Sequence, residues 1–200
     1  MLPRRLLQLL LGLTLYGVSL ALMLRANLGL DPWDVFHQGL ARHLGWSIGT
    51  VVNVMGAVVL LLWWPIRQRP GLGTVLNVLV VGSVVDVTLS LLPPASSLTE
   101  RIILLPCGVL LNAVATAAYI GARLGPGPRD GLMTGLVRRT GRPVRVVRTA
   151  IELSVLAAGW LLGGSVGVGT VAYALLIGPL VQPLLPLFAV PETSPIPQEA

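Results

Sequence analysis

A chain of 200 residues with 54% apolar and only 11% charged side chains, at a mean hydropathy of +0.82, is too apolar and too charge-poor for a soluble domain of its length and belongs in a bilayer. Its net charge of +6 comes from arginine alone, clustered at the ends of apolar runs with no basic face interleaved by aromatics, which excludes a nucleic-acid binder. A single cysteine, Cys107, excludes an intrachain disulfide or a cysteine-based metal site and reads as a small buried apolar residue.

In chain order, Met1-Leu-Pro-Arg-Arg precedes an apolar run from Leu6 to Leu24 that is too long for a signal peptide and lacks a cleavage site before Arg25. It reads as a first membrane helix. Five further spans are predicted at Ile48 to Pro65, Thr74 to Leu92, Ile102 to Ala122, Val146 to Leu162 and Thr170 to Val190, the fifth of the six being weakened by Arg148 and Glu152. Short breaks such as Arg67-Gln-Arg-Pro-Gly-Leu-Gly73 and Gly163-Gly-Ser-Val-Gly-Val-Gly169 are turns rather than domain linkers. Residues 1–190 thus form one membrane domain, and the polar, proline-bearing tail 191–200 is expected to be a disordered cytoplasmic tail.

The chain is written twice. At an offset of 96 positions, Leu28-Gly29 matches Leu124-Gly125, and Pro32, Asp34, Gly39, Leu40, Arg42 and Gly45 match Pro128, Asp130, Gly135, Leu136, Arg138 and Gly141. The same offset pairs Arg5 with Arg101, Gly12 with Gly108, Trp64 with Trp160, Gly71 with Gly167, Thr74 with Thr170 and Gly82 with Gly178. The repeats run over about 1–96 and 97–190.

With the N-terminus cytoplasmic, that side receives Arg4, Arg5, Arg67, Arg69, Arg123, Arg129, Arg138, Arg139, Arg142, Arg145 and Arg148, and the other keeps Arg25, Arg42 and Arg101. This positive-inside bias puts both termini in the cytoplasm. Three crossings per unit is an odd number, so the fold class expected is an all-α membrane protein of six spans in two inverted 3+3 repeats, as in many secondary transporters.

In each unit a motif after the first span leads into a segment too short to cross, Trp33 to Leu44 or Arg129 to Thr140. Proline suits the first turn of a helix, and Asp34 and Asp130 fall in that turn, near its positive end. Each segment is therefore expected to be a short re-entrant or interfacial helix. Two readings are open: a helix-capping turn preserved by duplication, or a pair of broken-helix elements whose N-termini and carboxylates meet a solute near the midplane. Recurrence of the carboxylate in both halves favours the second.

Arg148 and Glu152 share a helix face, four residues apart. They read as an internal salt bridge, with each other or with Arg129 and Asp130, or as a site where the arginine fork receives an anionic or carboxylate group. Their counterparts Val52 and Gly56 are uncharged, so any site is expected to be richer in polar groups from the second unit. The expected solute-lining set is Asp34, Arg129, Asp130, Arg148 and Glu152. Asp86, opposite Gln182 in the repeat, is a candidate proton-coupling carboxylate or a polar partner of Asn53 or Asn77.

Gly71-Leu-Gly-Thr74 and Gly167-Val-Gly-Thr170 open the last helix of each unit and permit a tight turn and close packing rather than phosphate binding. Trp63 and Trp64 read as interfacial anchors, and His37 and His43 as lone interfacial polar residues without metal spacing. The Arg138–Arg145 loop reads as a topology determinant attracted to anionic lipid. Nothing pairs a Ser or Cys nucleophile with a histidine base, so no enzyme, cofactor or metal is expected. The expected partners are the bilayer and a small-molecule solute, with oligomerisation left open.

The segments Leu30-Asp-Pro-Trp-Asp-Val-Phe-His-Gln-Gly-Leu40, Gly45-Trp-Ser-Ile-Gly-Thr50, Gly71-Leu-Gly-Thr74 with Asp86, and Gly125-Pro-Gly-Pro-Arg-Asp-Gly-Leu-Met133 followed by Arg148 and Glu152 resemble the YczE-like branch of the YitT/YczE group of bacterial multi-pass membrane proteins. The resemblance covers nearly the whole chain outside the tail. It implies a protein of the bacterial cytoplasmic membrane and implies no reaction. The functional expectation is therefore a small secondary transporter or permease of unspecified solute, with a non-transporting accessory or regulatory scaffold as the alternative.

Overall fold

The computed structural model describes residues 2–190; the tail expectation for 191–200 lies outside them. The described chain is all helical: α1 (Leu2–Ala26), α2 (Pro32–Leu44), α3 (Ile48–Ile66), α4 (Leu72–Leu91), α5 (Leu98–Gly121), α6 (Pro128–Thr140), α7 (Val144–Leu161) and α8 (Val168–Phe188). Helices α5 to α8 repeat α1 to α4 at the 96-residue offset, with bounds agreeing to within a residue or two.

Local chemistry sets these bounds. The Asp31 side chain caps α2 by accepting from the backbone N–H of Trp33 (2.9 Å) and Asp34 (3.2 Å), and Pro32 occupies the first turn, where a missing N–H costs nothing. In α6 the corresponding cap is Gly127, which has no side chain to offer, followed by Pro128. Gly45 and Gly141 close the two short helices in left-handed conformation, at φ of 68° and 66°.

Five helices, α1, α3, α4, α5 and α8, are long and apolar enough to cross a membrane. The expectation of six spans is met only to that extent. Helix α7 forms where the fifth span is predicted, but it carries Arg145, Arg148 and Glu152 in 18 residues and falls outside this set. The apolar outer faces are open, with Leu79 58%, Leu91 80% and Leu175 68% exposed. Such continuous apolar surface is compatible with lipid and not with water.

Helices α1 and α5 pack along their whole length and run antiparallel. Arg5 Nε donates to the Ala122 carbonyl (2.9 Å) and Gln8 Nε2 to that of Ala118 (2.9 Å), whereas at the other end Asn112 Nδ2 donates to Ser19 Oγ (2.9 Å) and Gly108 lies against Met23. Around this pair sit two core clusters related by the repeat. One holds Leu9, Leu13 and Ala122; the other holds their counterparts Leu105, Val109 and Ala26.

The units exchange their contacts. Helix α2 packs on α7 and α6 on α3, and the amide of Gly73 donates to Leu124 O while that of Gly169 donates to Leu28 O, both at 2.7 Å. Gly29 and Gly125 make this approach possible. Both have positive φ (113° and 122°), and a Cβ would lie 2.7 Å from Gly167 N in the first case and 2.8 Å from Gly71 Cα in the second. The turn and packing role expected of Gly71 and Gly167 is therefore observed. Arg42 donates to the Gly163 carbonyl at the end of α7, and Arg138 to the Arg67 carbonyl (3.4 Å) at the end of α3 and to Gln68 Oε1 (3.0 Å), placing cations at helix C-termini.

Packing between short and long helices is complementary in reverse. In one contact Val35 lies against Gly159 and Gly164; in its counterpart the small residue is Gly131 and the large one is Trp63, whose ring would be 2.0 Å from a Cβ at 131. Trp63 is buried, at 1% exposure, and its Nε1 donates to Pro128 O (3.0 Å), which corrects the expectation of an interfacial anchor. Trp64, at 89% exposure, does point outward. Cys107 is exposed rather than buried, on the outer face of α5.

Candidate functional site

The two short helices start beside one another, and their first turns bring the charges together. Arg129, the second residue of α6, reaches across to the α2 N-terminus. Its Nη2 lies 3.0 Å from Asp34 Oδ1 and its Nη1 3.4 Å from Asp31 Oδ1, and the guanidinium stands over the Trp33 ring at 5.2 Å. Both carboxylates are sealed, with side-chain exposures of 1% for Asp34 and 4% for Asp31. Each keeps a second oxygen, Oδ2, without a hydrogen bond.

His37, one turn into α2, places Nδ1 3.1 Å from Asp34 Oδ1. Burial, with the Arg129 charge beside it, pushes its pKa down to about 3, so the ring is neutral and serves Asp34 as an Nδ1–H donor. At 2% exposure it is part of the core of the site, not an interfacial residue as expected from the sequence. Burial and the neighbouring Asp34 carboxylate push the Asp31 carboxyl well above the ordinary carboxylate range, against the opposing pull of Arg129.

Asp130 lies on the other side of Arg129. Its Oδ2 accepts from the Tyr119 hydroxyl at 2.6 Å. Tyr119 meets Tyr16 edge-on, ring centres 6.0 Å apart.

Two cavities flank Arg129 and Asp130, and the repeat relates them. On one side Val52, Met55, Gly56, Asn77 and Val81 enclose a space of about 70 Å³. On the other, their counterparts Arg148, Ile151, Glu152, Tyr173 and Ile177 border a space of about 390 Å³ that also takes in Asp31, Trp33, Thr116 and Gln182. The second is of a size that small-molecule sites use, roughly 300 to 1,000 Å³. The charged pair Arg148 and Glu152 of the second unit borders the larger cavity, where the smaller one has Val52 and Gly56. Arg148 Nε and Glu152 Oε1 pair at 2.8 Å across one turn of α7 at its rim.

Of the residues singled out from sequence, Arg129, Asp130, Arg148 and Glu152 all border the larger cavity, and Asp34 stands behind Arg129. Asp86 is elsewhere, at the start of α3. Its Oδ1 accepts from the Gly49 amide (2.8 Å) and its Oδ2 from Ser47 Oγ (2.5 Å), so it caps that helix from α4 and does not pair with Asn53 or Asn77. Asn53 instead accepts from the Gly82 amide (2.9 Å). Asp31 and the tyrosines were missed. An aspartate directly before proline at a predicted helix start is a capping signal, and it could have singled out Asp31. No group of three or more His, Cys, Asp or Glu able to hold a metal occurs among the described residues.

The comparisons agree with a membrane protein. The model of a family of unknown function, DUF6198, matches residues 3–185. The chain is 40% identical over 181 residues, 90% of this chain and 83% of the other, to an uncharacterized protein of Haemophilus influenzae. It is 37% identical over 172 residues, 86% of this chain and 80% of the other, to the uncharacterized membrane protein YczE of Bacillus subtilis. The uncharacterized protein YyaS of the same Bacillus is 24% identical over 181 residues, 88% of this chain and 90% of the other. No solved structure matches. By the extent of the family match and by identity to relatives that include a Bacillus membrane protein, the chain belongs to the family of unknown function DUF6198.

Proposed function

We propose that this protein is a small secondary transporter or permease of the bacterial cytoplasmic membrane, with its solute held in the 390 Å³ cavity at the junction of the two units. In this reading α7 is the sixth crossing, its charged face turned to the cavity, and the units insert in opposite senses with both termini cytoplasmic. The observation that carries it is the position of the buried Asp31–Arg129–Asp34 cluster, where the N-termini of two short helices from opposite units meet beside a cavity. Short helix starts aimed at a shared central site, built from two repeats, are the arrangement around which transporters alternate access. The antiparallel α1 and α5, and the exchanged contacts of α2 with α7 and α6 with α3, support opposite insertion of the units. Charges this deep are costly in a bilayer and mark solute or ion paths.

The test is uptake of a mixed solute panel into proteoliposomes. At least one solute should be taken up by the wild type, and Asp130→Asn should reduce that uptake at least tenfold without lowering the amount of protein inserted. A panel in which nothing enters or stabilises the purified protein would refute the reading and leave the accessory-scaffold alternative.

A further inference from the structure

The chemistry of the larger cavity says which class of solute it suits. Four aromatic rings, those of Tyr16, Trp33, Tyr119 and Tyr173, are part of its wall. Its positive groups are already engaged. Arg129 is held by Asp31 and Asp34 and by the face of Trp33, and Arg148 by Glu152. The negative groups are not all matched. Asp130 accepts from the Tyr119 hydroxyl and has no cationic partner among the described residues. Asp31, 3% exposed, borders the same cavity with its Oδ2 unpartnered.

The centre thus has three carboxylates, Asp31, Asp34 and Asp130, against the single guanidinium of Arg129. The N-termini of α2 and α6 each supply about half a unit of positive charge, so with Arg129 the three carboxylates still leave about one negative charge unmatched. The cavity is short of positive charge and lined by four aromatic residues, the combination that recognises ammonium groups. The related cavity of about 70 Å³ has Asn77 where this one has Tyr173, and no charge at Val52 or Gly56. Only the second-unit cavity has the full set.

We propose that the larger cavity binds an organic cation, a small amine or quaternary ammonium compound, with its charged head between Asp130 and Asp31 and its alkyl part against Tyr16, Trp33, Tyr119 and Tyr173. This rests on the transporter reading and specifies its substrate class.

The experiment is thermal stability of the purified full-length protein titrated with butylammonium, tetramethylammonium, butyrate and butanol at matched ionic strength. A ligand of the folded state raises Tm saturably by mass action. The ammonium ions should do so and butyrate and butanol should not. In Asp130→Asn, where the Tyr119 hydroxyl still has an oxygen to donate to, the apparent affinity for the ammonium ions should fall at least tenfold. Stabilisation by butyrate or butanol in place of the ammonium ions would overturn the cation assignment while leaving a solute site intact. No stabilisation by any of the four would overturn the cation assignment; no binding or uptake across the wider panel as well would overturn the transporter reading. If Asp130→Asn does not accumulate, the comparison of charge classes on the wild type decides alone.

Discussion

Replacing Arg129 by glutamine removes the one cation that two buried carboxylates share. The side chains of Asp34 and Asp31 are 1% and 4% exposed, so water from the adjoining cavity replaces the guanidinium only in part. His37 still donates to Asp34, and two backbone amides still donate to Asp31, which leaves about one charge uncompensated. The acidic pair avoids that charge by taking up a proton. An aspartate in water titrates near 3.9, so binding the proton at pH 7 costs about 1.36 kcal/mol for each of roughly 3 units, or about 4 kcal/mol. That agrees with the 3–5 kcal/mol typical of breaking a buried pair from one side. At about 2–4 °C per kcal/mol for a chain of this size, Tm should fall by roughly 8–16 °C.

The sign with pH follows. The folded variant holds a proton that the unfolded chain releases above about pH 4, so the deficit grows as pH rises and shrinks as it falls. Relative to wild type it should be about 4 kcal/mol at pH 7 and about 1.5 kcal/mol at pH 5. Adding Asp34→Asn removes the excess charge and should recover most of the loss, a coupling that a double-mutant cycle measures. Differential scanning fluorimetry of the purified variants at both pH values is the assay. A Tm loss of under about 3 °C at pH 7, a gap that does not narrow at pH 5, or no recovery in the double variant would each refute the claim that Arg129 neutralises the acidic pair.

Gly131→Val, which drives a side chain into the Trp63 ring, should destabilise by about 1–3 kcal/mol or more, and Trp63→Gly in the same chain should recover part of it by copying the Val35 and Gly159 arrangement of the other contact; Tm and yield from membranes report both. Asp86→Asn weakens the cap on α3 and should lower stability by about 1 kcal/mol with any ligand-induced Tm shift unchanged; loss of pH-dependent uptake at normal stability would instead make Asp86 a proton site. In a Cys107→Ser background, cysteines at His43 and Thr140 should label from opposite sides of the membrane, and labelling from the same side would mean an even number of crossings per unit.

The short helices were legible because their signals are local. Pro32 and Pro128 at the first turn and Gly45 and Gly141 in left-handed closure mark the same bounds in sequence and structure. Burial was less legible. His37 and Trp63 are polar-edged residues that sequence rules send to an interface, yet each enters the protein because an acceptor is there, the Asp34 carboxylate for His37 Nδ1 and the Pro128 carbonyl of the other unit for Trp63 Nε1. Cys107 went the other way, since in a membrane an apolar residue has no need to face the core.

What the amino-acid order determined by itself was the membrane class, the duplicated unit of four helices and the presence of a carboxylate in the first turn of each short helix, because hydropathy, proline, glycine and capping chemistry act within a few residues. What the tertiary structure decided was which charges meet. Arg129 is 95 residues from Asp34, and nothing local to either says that they pair. The antiparallel packing of α1 on α5 and the exchange of short helices between units bring them together, and the same exchange opens one cavity to about 390 Å³ while its repeat-related twin is only about 70 Å³. Side chains that differ between the copies, Arg148 and Glu152 against Val52 and Gly56, acquire their meaning only from that geometry.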